Sequence, residues 1–452
     1  MLRWPHVEQD GGASVDATPI YEATRIDEPM ISRTDDRSGT LVTRPGNLMS
    51  GLRGLFLGLV ALGTGWLAAD PAQAAVLKRV HTGERNVASA AGVTVPLDLP
   101  DASKAFVVCH PRTTNTNSNR RVTCDLSNNL LTIDGGTNVG ATVTVSFYVA
   151  EFDSGVFVQR GTSAFAQNQL TPPVAPSIAA VDCAASFIVW AGEQHNGGAA
   201  NGNDEEYTFR AILGTFTSPC TSGPTSTLSI ERLDGATNTS STAAWQVVTM
   251  DSATVQRGVA QIANNALTAT AAISTVDTTT SFAQITRTGG SAIAGVENLY
   301  LTRVTFSAAN QLTFTRGAQT GAANTFVNTA WEVVSFLDGT TVVSGTTQGT
   351  GTHSTMSTAL SGVSTGRAVP FLAMSTAVAN NSIWNSSAWS AQVVSAPSLQ
   401  ILFTRGASNG NVVPASWFVV SFNRCTNDPL CQVGANAGSG QVRVATGLSD
   451  RC

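Results

Sequence analysis

An all-β fold of tandem antiparallel β-sandwich repeats, immunoglobulin-like or jelly-roll-like, is predicted by three observations. The first is an internal repeat. Trp-centred segments recur at Trp245–Met250 (WQVVTM), Trp331–Phe336 (WEVVSF) and Trp417–Phe422 (WFVVSF), and their first residues, 245, 331 and 417, are two steps of 86 apart. Equal spacing over two periods marks a repeated structural unit. The second is a period-two alternation of apolar and polar residues over short runs. Trp245, Val247 and Thr249 fall on one side of such a run and Gln246, Val248 and Met250 on the other, the pattern of a half-buried strand. The third is composition. Only 12% of the residues are charged, against about 25% in an average soluble domain. Thr, Ser, Ala, Gly and Asn take their place, and these suit strands and the turns between them.

Residues 1–48 are polar and irregular, and are read as a disordered or mis-annotated extension, with Met49 as the natural start. Residues 49–74 read as a secretory signal peptide. Arg53 precedes an apolar run from Leu55 to Ala69, and Ala72-Gln73-Ala74 supplies the small-x-small cleavage pattern. The run is about 15 residues long, short of the roughly 20 that span a bilayer. Residues 75–100 read as an extended segment without a home, and a candidate donor strand for another copy. Four modules follow, at 101–168, 177–262, 263–346 and 359–424. Each is taken to open on a Phe strand, at Phe106, Phe187, Phe282 and Phe371. Phe147 stands where the later modules have Trp. Stretches 169–176 and 346–358 read as linkers, and residues 425–452 as a Cys-containing tail.

Export makes disulfides the default state of cysteine. Cys109 with Cys124, and Cys183 with Cys220, are expected to pair within modules one and two. Cys425, Cys431 and Cys452 form an odd set, with Cys425–Cys431 or Cys431–Cys452 as pairings and one thiol left over.

The chemistry-bearing signals are sparse. Gly362-Val363-Ser364-Thr365-Gly366 matches the G-x-S-x-G pattern, but that elbow needs a strand before it and a helix after it, and here it lies in a Ser/Gly-rich stretch. No His is paired with another His or Cys at zinc spacing. The Asn/Asp/Glu-rich run around Asp204, Glu205 and Glu206 is the one candidate for a hard cation such as Ca²⁺; no cofactor is otherwise expected. Trp384 and Trp389 fall outside the repeated Trp positions, in a polar context, and are candidate ligand-contacting aromatics. The repeated Trp residues themselves read as core. The Arg-Gly pairs at Arg160, Arg257, Arg316 and Arg405 read as turn markers with positive φ at Gly. Lys occurs only at Lys78 and Lys104, and the net charge is −5, so nucleic acid is not an expected partner.

The Trp-x-Val-Val-x-Phe, Arg-Gly and Val-Gln-Arg-Gly elements, spread over Phe106 to Phe422, resemble the repeat modules of bacterial exported and cell-surface proteins. The resemblance implies an extracellular, adhesin-like role and carries no catalytic residues. The expectation is therefore a secreted, non-enzymatic structural or adhesive protein. Its partners would be other copies of itself or surface glycans, with membrane contact only during export. A strand-exchanging filament or surface-layer subunit is the alternative, and a lectin a further one.

Overall fold

In a computed structural model the chain is described from residue 74 to residue 424, apart from short stretches. The longer of these are 115–120, 137–141, 170–174, 197–208, 233–239, 290–300, 318–325 and 376–387. The described residues are almost wholly strand, with no α-helix. The all-β prediction holds.

Twenty-four strands group into four six-stranded modules. The first contains β1 (Val76–Val87), β2 (Val93–Pro96), β3 (Ala105–Thr113), β4 (Thr123–Ser127), β5 (Leu130–Asp134) and β6 (Val143–Ser154). The second contains β7 (Val156–Phe165), β8 (Ser177–Asp182), β9 (Ser186–Asn196), β10 (Phe209–Leu213), β11 (Pro224–Arg232) and β12 (Ser240–Met250). The third runs through β13 (Ala253–Ile262), β14 (Thr268–Ala272), β15 (Ser281–Gly289), β16 (Thr302–Ala308), β17 (Gln311–Arg316) and β18 (Val327–Phe336). The fourth runs through β19 (Thr341–Gly351), β20 (Thr355–Ala359), β21 (Ala368–Met374), β22 (Trp389–Val394), β23 (Gln400–Arg405) and β24 (Gly410–Ser421).

One topology serves all four. The last strand of each module lies between the first and third, as in β13-β18-β15, and the fifth lies between the second and fourth, as in β14-β17-β16. All pairings are antiparallel. The second and first modules also share an edge, through Thr123 on β4 and Gly192 on β9.

This pairing sets the phase of the repeat, which differs from the expected module boundaries. The Phe strands are third strands. The Val-Gln-Arg-Gly strand at Val158 pairs along its length with β12, and therefore opens module two instead of closing module one. A repeat has no intrinsic starting point in sequence, so only the partner of each strand decides where it begins. Two further expectations are corrected by the same pairings. Residues 76–87 are not homeless, because β1 pairs with β6 of its own chain and β2 pairs with β5. The stretch 346–358 is not a linker, since β19 and β20 occupy most of it and pair with β24 and β23.

The alternation expected of the Trp strand is realised. Trp245 and Val247 face the inner core of module two, where they meet Phe165, Ile188 and Leu228. Val248 and Met250, on the opposite side, belong to a second core shared by all four modules. That shared core is aromatic. Phe106 meets Phe187 at 6.4 Å between centroids, Phe187 meets Phe282 at 6.0 Å, Phe282 meets Phe371 at 4.5 Å, and Phe422 returns to Phe106 at 5.9 Å. Each pair joins successive modules, and the last joins the fourth to the first. The four modules thus form a closed cycle around a common core. Both faces of each last strand are buried, one in the module and one at the centre, which is why these strands carry near-continuous apolar residues between two polar ends.

The connections between modules meet in one hydrogen-bonded knot. Asp251 N donates to Gly155 O at 3.0 Å, and Leu337 N to Ser252 O at 2.8 Å. The Asn423 amide donates to Asp338 O, and Leu77 N donates to Asn423 O at 3.3 Å. Residues at the start of the first module and the end of the fourth are therefore fastened together.

Both expected disulfides are present: Cys109–Cys124, with Cα atoms 6.6 Å apart, and Cys183–Cys220, with Cα atoms 5.8 Å apart. The first joins β3 to β4 across the sandwich of module one. The second joins the turn before β9 to the segment before β11. Cys425, Cys431 and Cys452 lie outside the described residues, as do residues 1–73.

Candidate interaction surface

The polarity of the strands sorts the loops of every module into two sets. The first strand leads away from the central knot, and each later strand reverses direction. The turns between strands two and three, and between four and five, therefore lie at the knot end. The ends of strands one, three and five all lie at the far end. In sequence, the Asn- and Gly-rich segments NTNSN (115–119) and NGGAANGN (196–203) follow the third strands β3 and β9; residues 115–119 and 197–203 lie outside the described residues. Loops gathered at one end of a rigid sandwich are the usual place for recognition.

A buried arginine braces the base of this end in three modules. Arg232, Arg316 and Arg405 close the fifth strands, and each is 2% exposed or less. Arg232 Nη2 donates to Ala166 O and Gln169 O, both at 3.1 Å. Arg316 Nε donates to Ala266 O at 2.8 Å and its Nη2 to Ala263 O at 3.1 Å. Arg405 Nε donates to His353 O at 2.7 Å. These acceptors are carbonyls of the loop between first and second strands, and Arg232 Nη1 also donates to Ser241 Oγ of β12 at 2.9 Å. A planar guanidinium with five donors suits such clusters of carbonyls. Arg405 also stacks over Trp389, 4.9 Å from the ring centroid. Burial holds the Arg405 pKa below its ordinary value. Module one has Asp134 at this position, and its carboxylate accepts from Gly136 N instead.

These contacts correct the reading of the Arg-Gly pairs as positive-φ turns. None of Gly161, Gly258, Gly317 and Gly406 has a positive φ. Gly161 and Gly258 lie mid-strand, directly opposite Trp245 and Trp331. A Cβ on them would stand 2.7 and 2.6 Å from the indole. Gly345 opposite Trp417 and Gly83 opposite Phe147 repeat the arrangement. Here glycine is required by the volume of the ring lying across it.

The arginines that precede two of these glycines reach into the module before. Arg160 Nη2 donates to Ala102 O and, at 2.6 Å, to Ala105 O of module one. Arg257 donates to Cys183 O, Cys220 O and Ser186 O of module two, and its Nε to Glu332 at 3.1 Å. Module four has Ser344 at this position. A groove of about 440 Å³ opens there instead, lined by Phe306, Ser307, Ser344, Gly345, Thr346 and Phe418 among others.

The residue after each module Trp is the other link to the preceding module. Gln246 Nε2 donates to Val107 O at 2.8 Å and its Oε1 accepts from Val107 N at 2.9 Å. Glu332 Oε2 accepts from Ile188 N at 2.8 Å, while Gln284 Nε2 donates to Ile188 O at 2.6 Å. Val107 and Ile188 hold the same place in their modules, so one peptide unit of a third strand is satisfied in the same way twice. Phe418 packs edge-on against Phe306, with centroids 5.9 Å apart. Tyr148 closes the cycle: its hydroxyl donates to Ala391 O at 3.3 Å and accepts from Val393 N at 3.0 Å, both in module four.

The other candidates resolve as follows. Trp389 is corrected from a ligand-contacting aromatic to a core residue. It is 1% exposed, its Nε1 donates to Val413 O at 3.3 Å, and it packs in the core of module four. Its preceding sequence neighbours at 380–387 are mostly polar, which is why it read as a surface residue. Trp384, Asp204, Glu205 and Glu206 lie outside the described residues. Among the described residues no group of three or more His, Cys, Asp or Glu side chains could hold a metal ion. Ser364 has an extended backbone (φ −111°, ψ 126°) and leads into one three-residue 3-10 turn, so it has neither the strained turn nor the helix of a nucleophile elbow. His110 is buried at the junction of modules four and one, its ring 6.2 Å from Tyr148, and burial lowers its pKa to about 4.

Sequence reasoning did not find the links between modules. The signal was present: the position after Trp changes chemistry in every copy (Tyr, Gln, Glu, Phe) while its neighbours stay Val, as expected where each copy faces a different partner.

Comparison with family models, with curated proteins and with solved structures returns no match. No helix among the described residues is long and apolar enough to cross a membrane. The two disulfides fit an oxidising, extracellular environment.

Proposed function

We propose that this chain is an exported structural or adhesive surface protein, without enzymatic activity, whose cycle of four modules presents the far-end loops to a partner. The observation that carries the reading is the far end itself. Three modules bury an arginine at the end of the fifth strand, where it holds the carbonyls of the loop between first and second strands, an arrangement that stiffens the base of a recognition surface. The signal segment at 49–74 and the two disulfides support export. The test is binding of the purified exported chain to a glycan array and to intact cells, alongside electron microscopy of the same sample. Saturable binding that is lost on exchanging the far-end loops supports adhesion. Regular fibres or lattices without such binding favour the structural role. Turnover in a hydrolase screen overturns the non-enzymatic reading.

A second reading, a lectin, is favoured by the groove at Ser344. Its wall combines two Phe rings with the hydroxyls of Thr278, Thr305, Ser307 and Thr346 and has no charged residue, a mixture suited to neutral sugars. Ser344→Arg would fill the groove with the side chain found at Arg160 and Arg257. Loss of glycan binding in that variant alone assigns the activity to the groove.

A further inference from the structure

Ala75, the residue before β1, lies at an unusual place for a strand terminus. Ala75 is 1% exposed, beside the shared aromatic core. Its N–H donates to Ser252 Oγ at 3.3 Å, and Ser252 Oγ in turn donates to Asp338 Oδ2 at 2.7 Å. Ser252 belongs to the connection between modules two and three, and Asp338 to that between three and four. Asp338 Oδ1 accepts from Thr340 N at 2.9 Å, and the Asp338 carbonyl accepts from the Asn423 amide. Ala75 thus sits where three module connections and the end of the fourth module converge. The Asp338 carboxylate is met there by a hydroxyl and a backbone N–H, and among the described residues it forms no ion pair with a side chain.

The sequence places a cleavage pattern, Ala72-Gln73-Ala74, immediately before Ala75. We propose that cleavage between Ala74 and Ala75 creates a structural N-terminus, whose α-ammonium forms an ion pair with Asp338 beside Ser252 and locks the four-module cycle. This rests on the export reading above. In the step, a signal peptidase adds water across the Ala74–Ala75 amide. Ala74 leaves with the new carboxylate, and the Ala75 nitrogen takes up a proton to become an ammonium at neutral pH. One N–H becomes three, enough to bond Ser252 and Asp338 together. Because Ala75 is buried once β1 has docked, the cut precedes folding. An uncut or miscut chain therefore carries no charge at this point to match Asp338.

The experiment uses the full-length chain exported into an oxidising compartment. Intact mass of the product reads the cut. A mature chain beginning at Ala75 is expected, and any other start overturns the processing step on which the lock depends. Thermal unfolding then reads the lock. Asp338→Asn is expected to lower Tm by about 1–2 °C, the shift of a single modest interaction in a chain of this size. A Gly-Ser insertion between Ala74 and Ala75 moves the amine away from the knot and leaves the cleavage pattern intact. In that background Asp338→Asn is expected to have no further effect. Equal losses in the two backgrounds overturn the lock even if the mature chain begins at Ala75. Ser252→Ala, which removes the bridging hydroxyl, is expected to weaken the coupling between the two changes; full coupling without the hydroxyl overturns its bridging part.

Discussion

His110 is the side chain at which pH acts most directly on this fold. It lies at the contact between modules four and one, and burial lowers its pKa from 6.5 to about 4. The unfolded chain therefore binds a proton that the folded chain refuses over that interval. Stability is lost as pH falls from 6.5 toward 4, by up to about 3 kcal/mol for a shift of this size. Glu84, paired with Arg112 at the same contact, has its pKa lowered by that hydrogen bond. Its contribution is present above 4.5 and disappears only below, so the two groups act in successive windows. Urea unfolding at pH 7 and pH 5 should show the His110 loss, and His110→Phe should flatten it. The buried position of His110 was not visible in the sequence, because a lone His on a strand looks the same in a core as in a loop.

The glycines opposite the module tryptophans carry a second prediction at this scale. Gly258→Ala places a Cβ 2.6 Å from the Trp331 ring, and overpacking of this kind costs about 1–3 kcal/mol. Trp331→Leu should relieve part of that cost. A double-mutant cycle from denaturant midpoints should therefore show positive coupling; additive losses would mean that the backbone yields around the ring.

At the scale of elements, the strands were legible and their partners were not. Period-two alternation and the 86-residue step placed β12, β18 and β24, and the degenerate copy at Phe147 placed β6. The same strand grammar fits either phase of the repeat, so β7 looked like the end of one module when it opens the next. Polar residues such as Gln246 and Glu332 alternate in sequence as solvent-facing positions do, yet the neighbouring module covers them. Arg257 tests whether these links hold the elements together. Its guanidinium serves three carbonyls of module two as well as Glu332. Arg257→Ala leaves the Glu332 charge buried without its partner, a loss of about 3–5 kcal/mol. Glu332→Gln keeps an acceptor for Ile188 N and should cost much less. Hydrogen exchange should show faster exchange in β9 and β13 for the first variant and little change for the second. The disulfides act on a different quantity. With separations of 15 and 37 residues, each restricts the unfolded chain by about 3–4 kcal/mol in the chain-entropy account. Replacing either pair by Ser should lower the denaturant midpoint with little change in the exchange pattern of the folded state.

At the scale of the whole molecule, a row of independent beads and a closed cycle make opposite predictions for cooperativity. Beads of similar size with flexible linkers unfold one by one. Here Phe106, Phe187, Phe282, Phe371 and Phe422 belong to one core, and no module buries its own inward-facing last strand without its neighbours. Modules two, three and one also depend on the module before them for the partners of Gln246, Glu332 and Tyr148, and module four packs Phe418 against Phe306 of module three. Opening any one contact of a cycle leaves three in place, so partial unfolding exposes core without releasing a whole module. Calorimetry of the chain from Ala75 onward should therefore show one transition, with calorimetric and van't Hoff enthalpies in agreement. The fourth module makes the sharper test. Ending the chain after Phe336 removes the partners of Tyr148 and the Phe371 and Phe422 faces of the core together. If the cycle is the folding unit, the remaining three modules lose cooperativity and melt well below the full chain. If they keep a sharp transition near the original Tm, each module is stable by itself and the shared core is only a packing contact.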